Sequence, residues 1–290
     1  MSTLIALRLG LLLARLLPLG ACAALAASIW RVGGLLSPRR TVVAANLAAI
    51  AAAGGRPARA GDVFANYGRY WGELLALAAR PARFASLRIR VEGLAHLEAV
   101  ERGPLCFLGA HLGNWDLLSR WLGRRLPNLF ALAEALEPPA LARLFAELRE
   151  QGGQRTISGS GAGVALYREL RRGHPVGILV DRALDPASTA GQGLRAAPCL
   201  GGLRTFPAAG LEVAQRAGAT LLPIFLLREP GGYVIKVSAP LPADTDPLAG
   251  YARALAAAVA AHPAQWCVLY PLHDGALAQV AAPGAKGAAA

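Results

Sequence analysis

The sequence is short of charge. Only 17% of its 290 residues are Asp, Glu, Lys or Arg, whereas soluble domains usually carry about 25%. Lysine occurs only at Lys236 and Lys286, so the formal net charge of +12 comes from arginine. A chain with 54% hydrophobic residues has either a very large core or a surface that contacts lipid. The arginines are dispersed among alanine and leucine, which favours an anionic membrane surface as partner and argues against nucleic acid.

Cysteine is scarce as well. The four cysteines are far apart and form no C-x-x-C pair, which argues against a zinc site and against a disulfide framework. We therefore expect no metal, and a reducing, cytosolic compartment fits best.

A long uncharged run is missing from the apolar N-terminus. Arg15 interrupts it, and the run Leu16–Trp30 has 15 residues, short of the about 20 that span a bilayer. Three interpretations remain open: an amphipathic anchor lying in the membrane interface, a spanning helix, and a secretory signal in which "LGAC" ends at Cys22 as a lipoprotein cleavage box. Each of them places residues 1–36 at a membrane.

The rest of the chain alternates between helical and strand patterns. Ser37 and Asp62 are typical helix caps, and short apolar runs bounded by turn residues indicate buried strands. The patterns predict helices at 37–53, 62–80, 114–125, 138–151, 163–173, 206–217 and 247–261, and strands at 87–93, 104–110, 128–134, 175–181, 219–229, 233–238 and 265–270. We expect an α/β domain over 37–274, with a three-layer architecture in which helices flank a mixed sheet, preceded by the anchor 1–36 and followed by a disordered tail, 275–290.

A histidine follows one of the predicted buried strands. In "FLGAHLGNWDLLSR" (107–120), His111 comes directly after the strand and Asp116 five positions later. On one continuous helix these side chains would point about 140° apart. If Asn114 caps a helix that starts between them, Asp116 lies in its first turn and both side chains can converge at the carboxyl end of the strand, where open α/β sheets place their sites.

Such a pair indicates general-base chemistry. The aspartate would hold the proton on one ring nitrogen while the other nitrogen accepts a proton from a hydroxyl. The chain has no G-x-S-x-G segment, which argues against a serine nucleophile of the α/β-hydrolase type. A structural role for both residues, as strand terminator and helix-dipole partner, fits the spacing equally well.

The segment "HLGNWDLL" (111–118) resembles the H-x4-D/E motif of the lipid A biosynthesis acyltransferases and of their relatives that acylate mannosylated phosphatidylinositol. The segments "NYGRYWGELL" (66–75), "GHPVGILVDRAL" (173–184), "GLEVAQRAGATLLPIF" (210–225) and "HPAQWCVLYPL" (262–272) resemble later blocks of that family in the same order. The resemblance covers most of residues 1–273.

The resemblance implies transfer of a long-chain acyl group from an acyl carrier protein or coenzyme A thioester to a hydroxyl of a glycolipid of the lipid A precursor type. His111 would be the base and Asp116 its partner, while Asn114 and Trp115 would shape the site. It further implies an enzyme at the cytoplasmic face of the bacterial inner membrane, with no cofactor beyond the acyl donor.

Three further residues are candidates for substrate binding. Asp181 and Arg182 follow another strand, but Ala183 stands where the family has a second acid, and Asp185 could substitute for it. Arg204 aligns loosely with a basic position and would either meet a phosphate or be solvated.

Alternative acceptors and functions stay open. A phosphatidylinositol mannoside is one alternative acceptor, and a lysophospholipid is another, although "FPAAG" (206–210) stands where that class has a "PEG"-like block. A membrane-anchored lipoprotein or binding module is the non-enzymatic alternative.

Overall fold

The helices and strands largely follow the predicted order. The computed structural model describes residues 2–101, 103–133, 139–182 and 193–272; the predicted tail 275–290 and Asp185 lie outside them. The helices are α1 (Ser2–Leu16), α2 (Leu19–Leu36), α3 (Arg40–Ala52), α4 (Ala60–Ala79), α5 (Leu94–Glu98), α6 (Trp115–Arg125), α7 (Pro139–Glu150), α8 (Ala162–Arg171), α9 (Ala209–Arg216) and α10 (Pro247–Ala261). The strands are β1 (Ile89–Glu92), β2 (Leu105–Gly109), β3 (Leu129–Leu132), β4 (Gln154–Ile157), β5 (Val176–Leu179), β6 (Leu194–Cys199), β7 (Gly202–Pro207), β8 (Thr220–Glu229) and β9 (Gly232–Val237).

Within the described residues, seven strands form one mixed sheet in the order β1-β9-β8-β2-β5-β3-β4. The strands from β8 to β4 run parallel to one another, while β9 is antiparallel to β8 and parallel to β1. All five residues of β2 are buried, because helices cover both faces of the sheet. The predicted α/β class with a mixed sheet is confirmed.

The two faces of the sheet contribute to two separate hydrophobic cores. On one face, Cys106 and Leu108 pack with α3, α8, α9 and α10. On the other, Leu105 and Phe107 pack with α5 and α6. This alternation follows from the two-residue period of a strand, and it gives the expected three layers.

Two sequence predictions about secondary structure are wrong, and three strands were not predicted. The predicted strand 265–270 is irregular: it follows a 3₁₀ turn at Pro263–Gln265 and makes a single bridge between Trp266 and Leu112. The start of the predicted helix 206–217 is the end of β7, and α9 begins at Ala209. The hairpin β6–β7 was missed because its strands do not alternate cleanly, and β4 was missed because its sequence, QRTI, contains no apolar run.

The N-terminal helices lie against the α/β domain. A side chain at Gly68 of α4 would place its Cβ 2.3 Å from the carbonyl oxygen of Ala26, and one at Gly72 would place it 2.5 Å from that of Cys22. Glycine at these two positions therefore lets the backbones of α2 and α4 touch. Cys22 is buried in this contact, which disfavours its use as a lipoprotein attachment site.

The opposite side of α1 and α2 is apolar and exposed. In the described chain, α2 is the one helix that is long and apolar enough to cross a membrane, by length and composition. The exposed large side chains of the two helices are Leu9, Leu12, Leu13, Leu16, Leu25, Ile29, Val32, Leu35 and Leu36. We refer to these nine residues as the apolar N-terminal face.

Candidate active site

The carboxyl ends of two neighbouring parallel strands bring His111 and Asp181 together. In the sheet, Gly109 at the end of β2 is paired with Leu179 at the end of β5. His111 comes two residues after Gly109, and Asp181 comes two residues after Leu179. Both residues therefore lie side by side just beyond the same edge of the sheet. This edge is where ligand sites of open α/β sheets form.

Three hydrogen bonds join the carboxylate of Asp181 to its surroundings. Its Oδ1 lies 2.8 Å from Nδ1 of His111, and its Oδ2 accepts from the backbone N–H of His111 at 2.9 Å and from Nε1–H of Trp266 at 2.8 Å. The carboxylate is fully buried, whereas the imidazole is 20% exposed. An ionised carboxylate only accepts hydrogen bonds, so a neutral His111 carries its proton on Nδ1 and leaves Nε2 as a proton acceptor.

The surroundings keep Asp181 ionised. Burial by itself would raise the pKa of this carboxyl, but the His111 ring, the indole N–H of Trp266 and the charge of Arg204 outweigh burial and hold the pKa below its usual range. Arg204 is itself buried; it donates to the backbone oxygens of Asp181 and Leu272, and its guanidinium lies 4.8 Å from the ring centre of Trp266. The two roles expected for Arg204, phosphate binding and solvation, are therefore both corrected: it supports the loop that carries Asp181.

The depressed pKa predicts a pH dependence of stability. A carboxyl whose folded pKa lies below its unfolded value of about 3.9 contributes stability above that value and loses it as the pH falls through the folded pKa. We expect the difference in melting temperature between the wild type and Asp181→Asn to narrow as the pH falls below about 4. Thermal unfolding followed by tryptophan fluorescence in detergent measures this, and a difference that widens below pH 4 would contradict it.

Asp116 does not form the predicted pair with His111. Its Oδ2 accepts a 2.6 Å hydrogen bond from the Tyr70 hydroxyl on α4, and its Oδ1 lies 3.8 Å from Nε of Arg149 on α7. The physical reason is the direction of the first turn of α6, which aims this carboxylate at α4 and α7, while the loop after β5 supplies the partner of His111. The ring of Trp115 contacts the rings of His111 and Tyr70. Its ring centre lies 5.0 Å from that of His111 and 3.9 Å from that of Tyr70.

The turn between His111 and α6 depends on a glycine and an asparagine. Gly113 has φ +67°, and a Cβ there would lie 1.8 Å from the carbonyl oxygen of Leu226, so only glycine fits. Asn114 caps α6 as predicted, accepting from the N–H of Leu117 at 2.9 Å.

A buried ion pair, Glu73–Arg228, supports this turn through hydrogen bonds. The side-chain amide of Asn114 donates to Glu73 at 2.6 Å, and Glu73 binds Arg228 through two hydrogen bonds of 2.6 and 2.7 Å. Arg228 also donates to the carbonyl oxygen of Gly113 at 3.2 Å. Asn114 thus connects the turn to a pair whose carboxylate side chain is only 3% exposed.

A cavity of about 1300 Å³ opens beside His111. Its buried part is apolar and lies between α6 and the sheet, with Phe107, Leu118, Leu122, Leu129 and Ile224 in its wall. Its exposed end carries Arg39 and Arg182 and includes Trp30 of α2. The shape suits a long apolar chain that ends at His111. Within the described ranges, no cluster of three or more His, Cys, Asp or Glu side chains is suited to a metal ion.

The sequence pointed to some of these residues and missed others. His111, Asn114, Trp115, Asp181 and Arg204 meet around the turn, and Arg182 lines the cavity with Asp116. The missed residues are Tyr70, Glu73, Arg149, Arg228 and Trp266; three of them lie in the segments 66–75 and 262–272, whose resemblance to family blocks was the available signal.

Comparison with known proteins identifies the family of this chain. Phosphatidylinositol mannoside acyltransferases of Mycobacterium tuberculosis, from strains CDC 1551 / Oshkosh and ATCC 25618 / H37Rv, are each 29% identical over 218 residues, 71% of this chain and 67% of the relative. That of Mycolicibacterium smegmatis is 28% identical over 217 residues, 71% of this chain and 69% of the relative. The profile of the family described as bacterial lipid A biosynthesis acyltransferase matches residues 4–273. Because this match spans nearly the whole sequence, the chain belongs to the bacterial lipid A biosynthesis acyltransferase family.

Proposed function

We propose that the protein transfers a long-chain acyl group from a thioester to a hydroxyl of a membrane glycolipid, with His111 as general base. The observation that carries this proposal is the His111–Asp181 pair at the wall of a deep apolar cavity. The cavity accommodates the acyl chain, and the imidazole lies where the thioester carbonyl of that chain would end.

Acyl transfer needs one group that first accepts a proton and later donates it. Nε2 of His111 takes the proton of the acceptor hydroxyl, and the oxygen attacks the thioester carbonyl to give a tetrahedral intermediate. Collapse of the intermediate breaks the carbon–sulfur bond, and the leaving thiolate receives the proton from Nε2. Asp181 stays ionised throughout and stabilises the imidazolium, as the carboxylate of a catalytic triad does.

Asp116 has a different role in this proposal. Together with Tyr70 it fixes Arg149, whose side chain lines the cavity. Arg182 lines the cavity as well, and we assign it to substrate binding. Trp115 shapes the wall next to the base.

A mannosylated phosphatidylinositol is the acceptor that we favour. The names of the three relatives support it over the lipid A precursor that the sequence motif led us to expect, while the name of the matching family keeps that precursor as the alternative. A lysophospholipid acceptor has less support. The donor is an acyl-coenzyme A or an acylated carrier protein.

The apolar N-terminal face provides the contact with the membrane. Its nine exposed side chains occur alongside the exposed Arg8 and Arg15, an arrangement that suits a helix pair lying in the interface with its arginines at the headgroups. Trp30 belongs to the same helix pair and to the cavity wall, so the site opens next to the membrane surface. We place this surface on the cytoplasmic side, where the thioester donors are available.

A transfer assay tests this function. Purified protein in mixed micelles receives radiolabelled palmitoyl-coenzyme A and, in separate reactions, a phosphatidylinositol mannoside, a lipid A precursor and a lysophospholipid. We expect acylated phosphatidylinositol mannoside as the main product, identified by mass spectrometry. Transfer mainly to the lipid A precursor would reverse the order of acceptors, and release of free fatty acid without any acylated lipid would refute the proposed function.

A further inference from the structure

The described wall of the cavity carries more arginines than carboxylates. Among the described residues of its wall there are three arginines, Arg39, Arg149 and Arg182, and one carboxylate, Asp116. Asp116 is already bound by Tyr70 and lies 3.8 Å from Arg149. Arg39 lies at the exposed end of the cavity, so a substrate that enters there is expected to carry an anionic group near that end.

Of these three arginines, Arg39 lies in the short segment between α2 and α3. It lies directly before α3, and its backbone N–H donates to Oγ of Ser37 at 3.2 Å. Over the described part of the chain, its guanidinium takes part in no hydrogen bond and no ion pair. It is therefore available to a ligand.

Arg39 shares its cavity with the base and with Tyr67. Tyr67 lines the same cavity as His111 and Arg39 and lies 4.7 Å from Trp30 between ring centres. Burial raises the pKa of the Tyr67 phenol, and the charges of Arg182 and Arg39 act against this rise. Both guanidiniums therefore act electrostatically on the part of the cavity that Tyr67 lines.

Arg39 follows closely after the apolar N-terminal face in the sequence. Leu36, three residues earlier, is 87% exposed and belongs to the apolar N-terminal face, as do Val32 and Leu35. If that face enters the acyl boundary, a residue just beyond its end lies at headgroup level. An acceptor lipid held in the same membrane presents its phosphate at this level.

We propose that Arg39 binds the phosphate of the acceptor glycolipid and thereby directs the sugar hydroxyl towards His111. This inference rests on the proposed function, since it identifies the group by which that site recognises its acceptor. Guanidinium groups bind phosphate through paired, charge-assisted hydrogen bonds. The donor thioester offers a second source of phosphate, and the experiment separates the two sources.

The experiment compares Arg39→Gln with Arg40→Gln. Arg40 is the adjacent exposed arginine, so both variants lose one positive charge near the membrane, but only Arg39 belongs to the cavity wall. We expect Arg39→Gln to raise the KM for a phosphatidylinositol mannoside about ten- to hundredfold, as lost hydrogen bonds to a charged group imply, with kcat within about threefold. Arg40→Gln should keep the wild-type KM. With a mannosylated diacylglycerol, which has the sugar but no phosphate, the two variants should behave alike.

Two further measurements assign the phosphate. KM values for palmitoyl-coenzyme A and for a phosphate-free palmitoyl thioester are determined at saturating acceptor; a rise in Arg39→Gln confined to palmitoyl-coenzyme A would assign the phosphate to the donor and overturn the proposal. Binding of soluble dioctanoyl phosphatidylinositol is followed by tryptophan fluorescence without any donor. Weaker binding by Arg39→Gln than by Arg40→Gln supports the phosphate contact even if no acyl transfer is found, whereas equal binding and equal KM values overturn it.

Discussion

Replacing His111 by alanine is expected to lower kcat by about 10³- to 10⁴-fold, because positioned general bases contribute rate factors of about 10²–10⁴ and here the same group also protonates the leaving thiolate. The fold is expected to persist, since the backbone N–H of residue 111 and Nε1–H of Trp266 still bind the Asp181 carboxylate. Initial rates of acyl transfer, at saturating donor and acceptor, measure the loss.

A second variant distinguishes the two candidate partners of the base. Asn at position 181 offers one acceptor oxygen and one NH₂, but three N–H groups now point at this carboxylate. Suppose the amide oxygen of the introduced asparagine accepts from the backbone N–H of His111 and from Nε1–H of Trp266. The NH₂ group of the amide then faces Nδ1 of His111. Because both groups would be donors, Nδ1 must lose its proton, and the neutral ring carries it on Nε2 instead. We therefore expect Asp181→Asn to lose about 10²- to 10⁴-fold in kcat through the wrong tautomer, and Asp116→Asn to lose less.

The matched control is His174. Its Nδ1 lies 2.9 Å from a carboxylate oxygen of Glu169, the same arrangement as in the His111–Asp181 pair, but it precedes β5 and so lies at the opposite edge of the sheet. His174→Ala should keep the wild-type kcat. If His111→Ala kept it too, or if Asp116→Asn lost more than Asp181→Asn, the assigned base or its partner would be wrong.

The predicted pairing of Asp116 with His111 was wrong, and it shows the limit of arguments from spacing in the sequence. The apolar runs before His111 and Asp181 predicted two strand ends, and each residue was placed correctly at the end of its strand. A single sequence does not reveal that β2 and β5 are neighbours in the sheet, because strand order depends on how all helices pack. The carboxylate that is near in the sequence was therefore preferred to the one that is near in space.

Other parts of the site could not be predicted for a related reason. Trp266 was assigned to a strand because its segment is apolar, yet the segment is held by the indole bond to Asp181 and by Asn46, which donates to the carbonyl oxygen of Tyr270 and accepts from the N–H of Leu272. Side chains from distant segments thus replace the ladder that a strand would need. By contrast α10, which Asp246 caps and Pro247 begins, was predicted at its exact bounds.

The second large effect is expected at Glu73. In Glu73→Gln, Arg228 keeps its charge in a site where its side chain is only 11% exposed, and it loses the carboxylate that balances it. Breaking a buried pair by removing one partner costs about 3–5 kcal/mol. We expect a loss of this size in the free energy of unfolding, measured by urea denaturation in detergent, together with lower activity because Asn114 and Gly113 lose their support.

The exposed pair Arg90–Glu229 is the control for this prediction. Its two side chains are 54% and 32% exposed, so water already solvates both charges and Glu229→Gln should cost about 0–1 kcal/mol. A double variant, Glu73→Leu with Arg228→Met, removes both buried charges and should recover much of the stability that Glu73→Gln loses, but not the activity, because the bond from Arg228 to Gly113 is also removed. Equal losses for Glu73→Gln and Glu229→Gln would mean that water reaches Arg228 and that the pair does not hold the turn under His111.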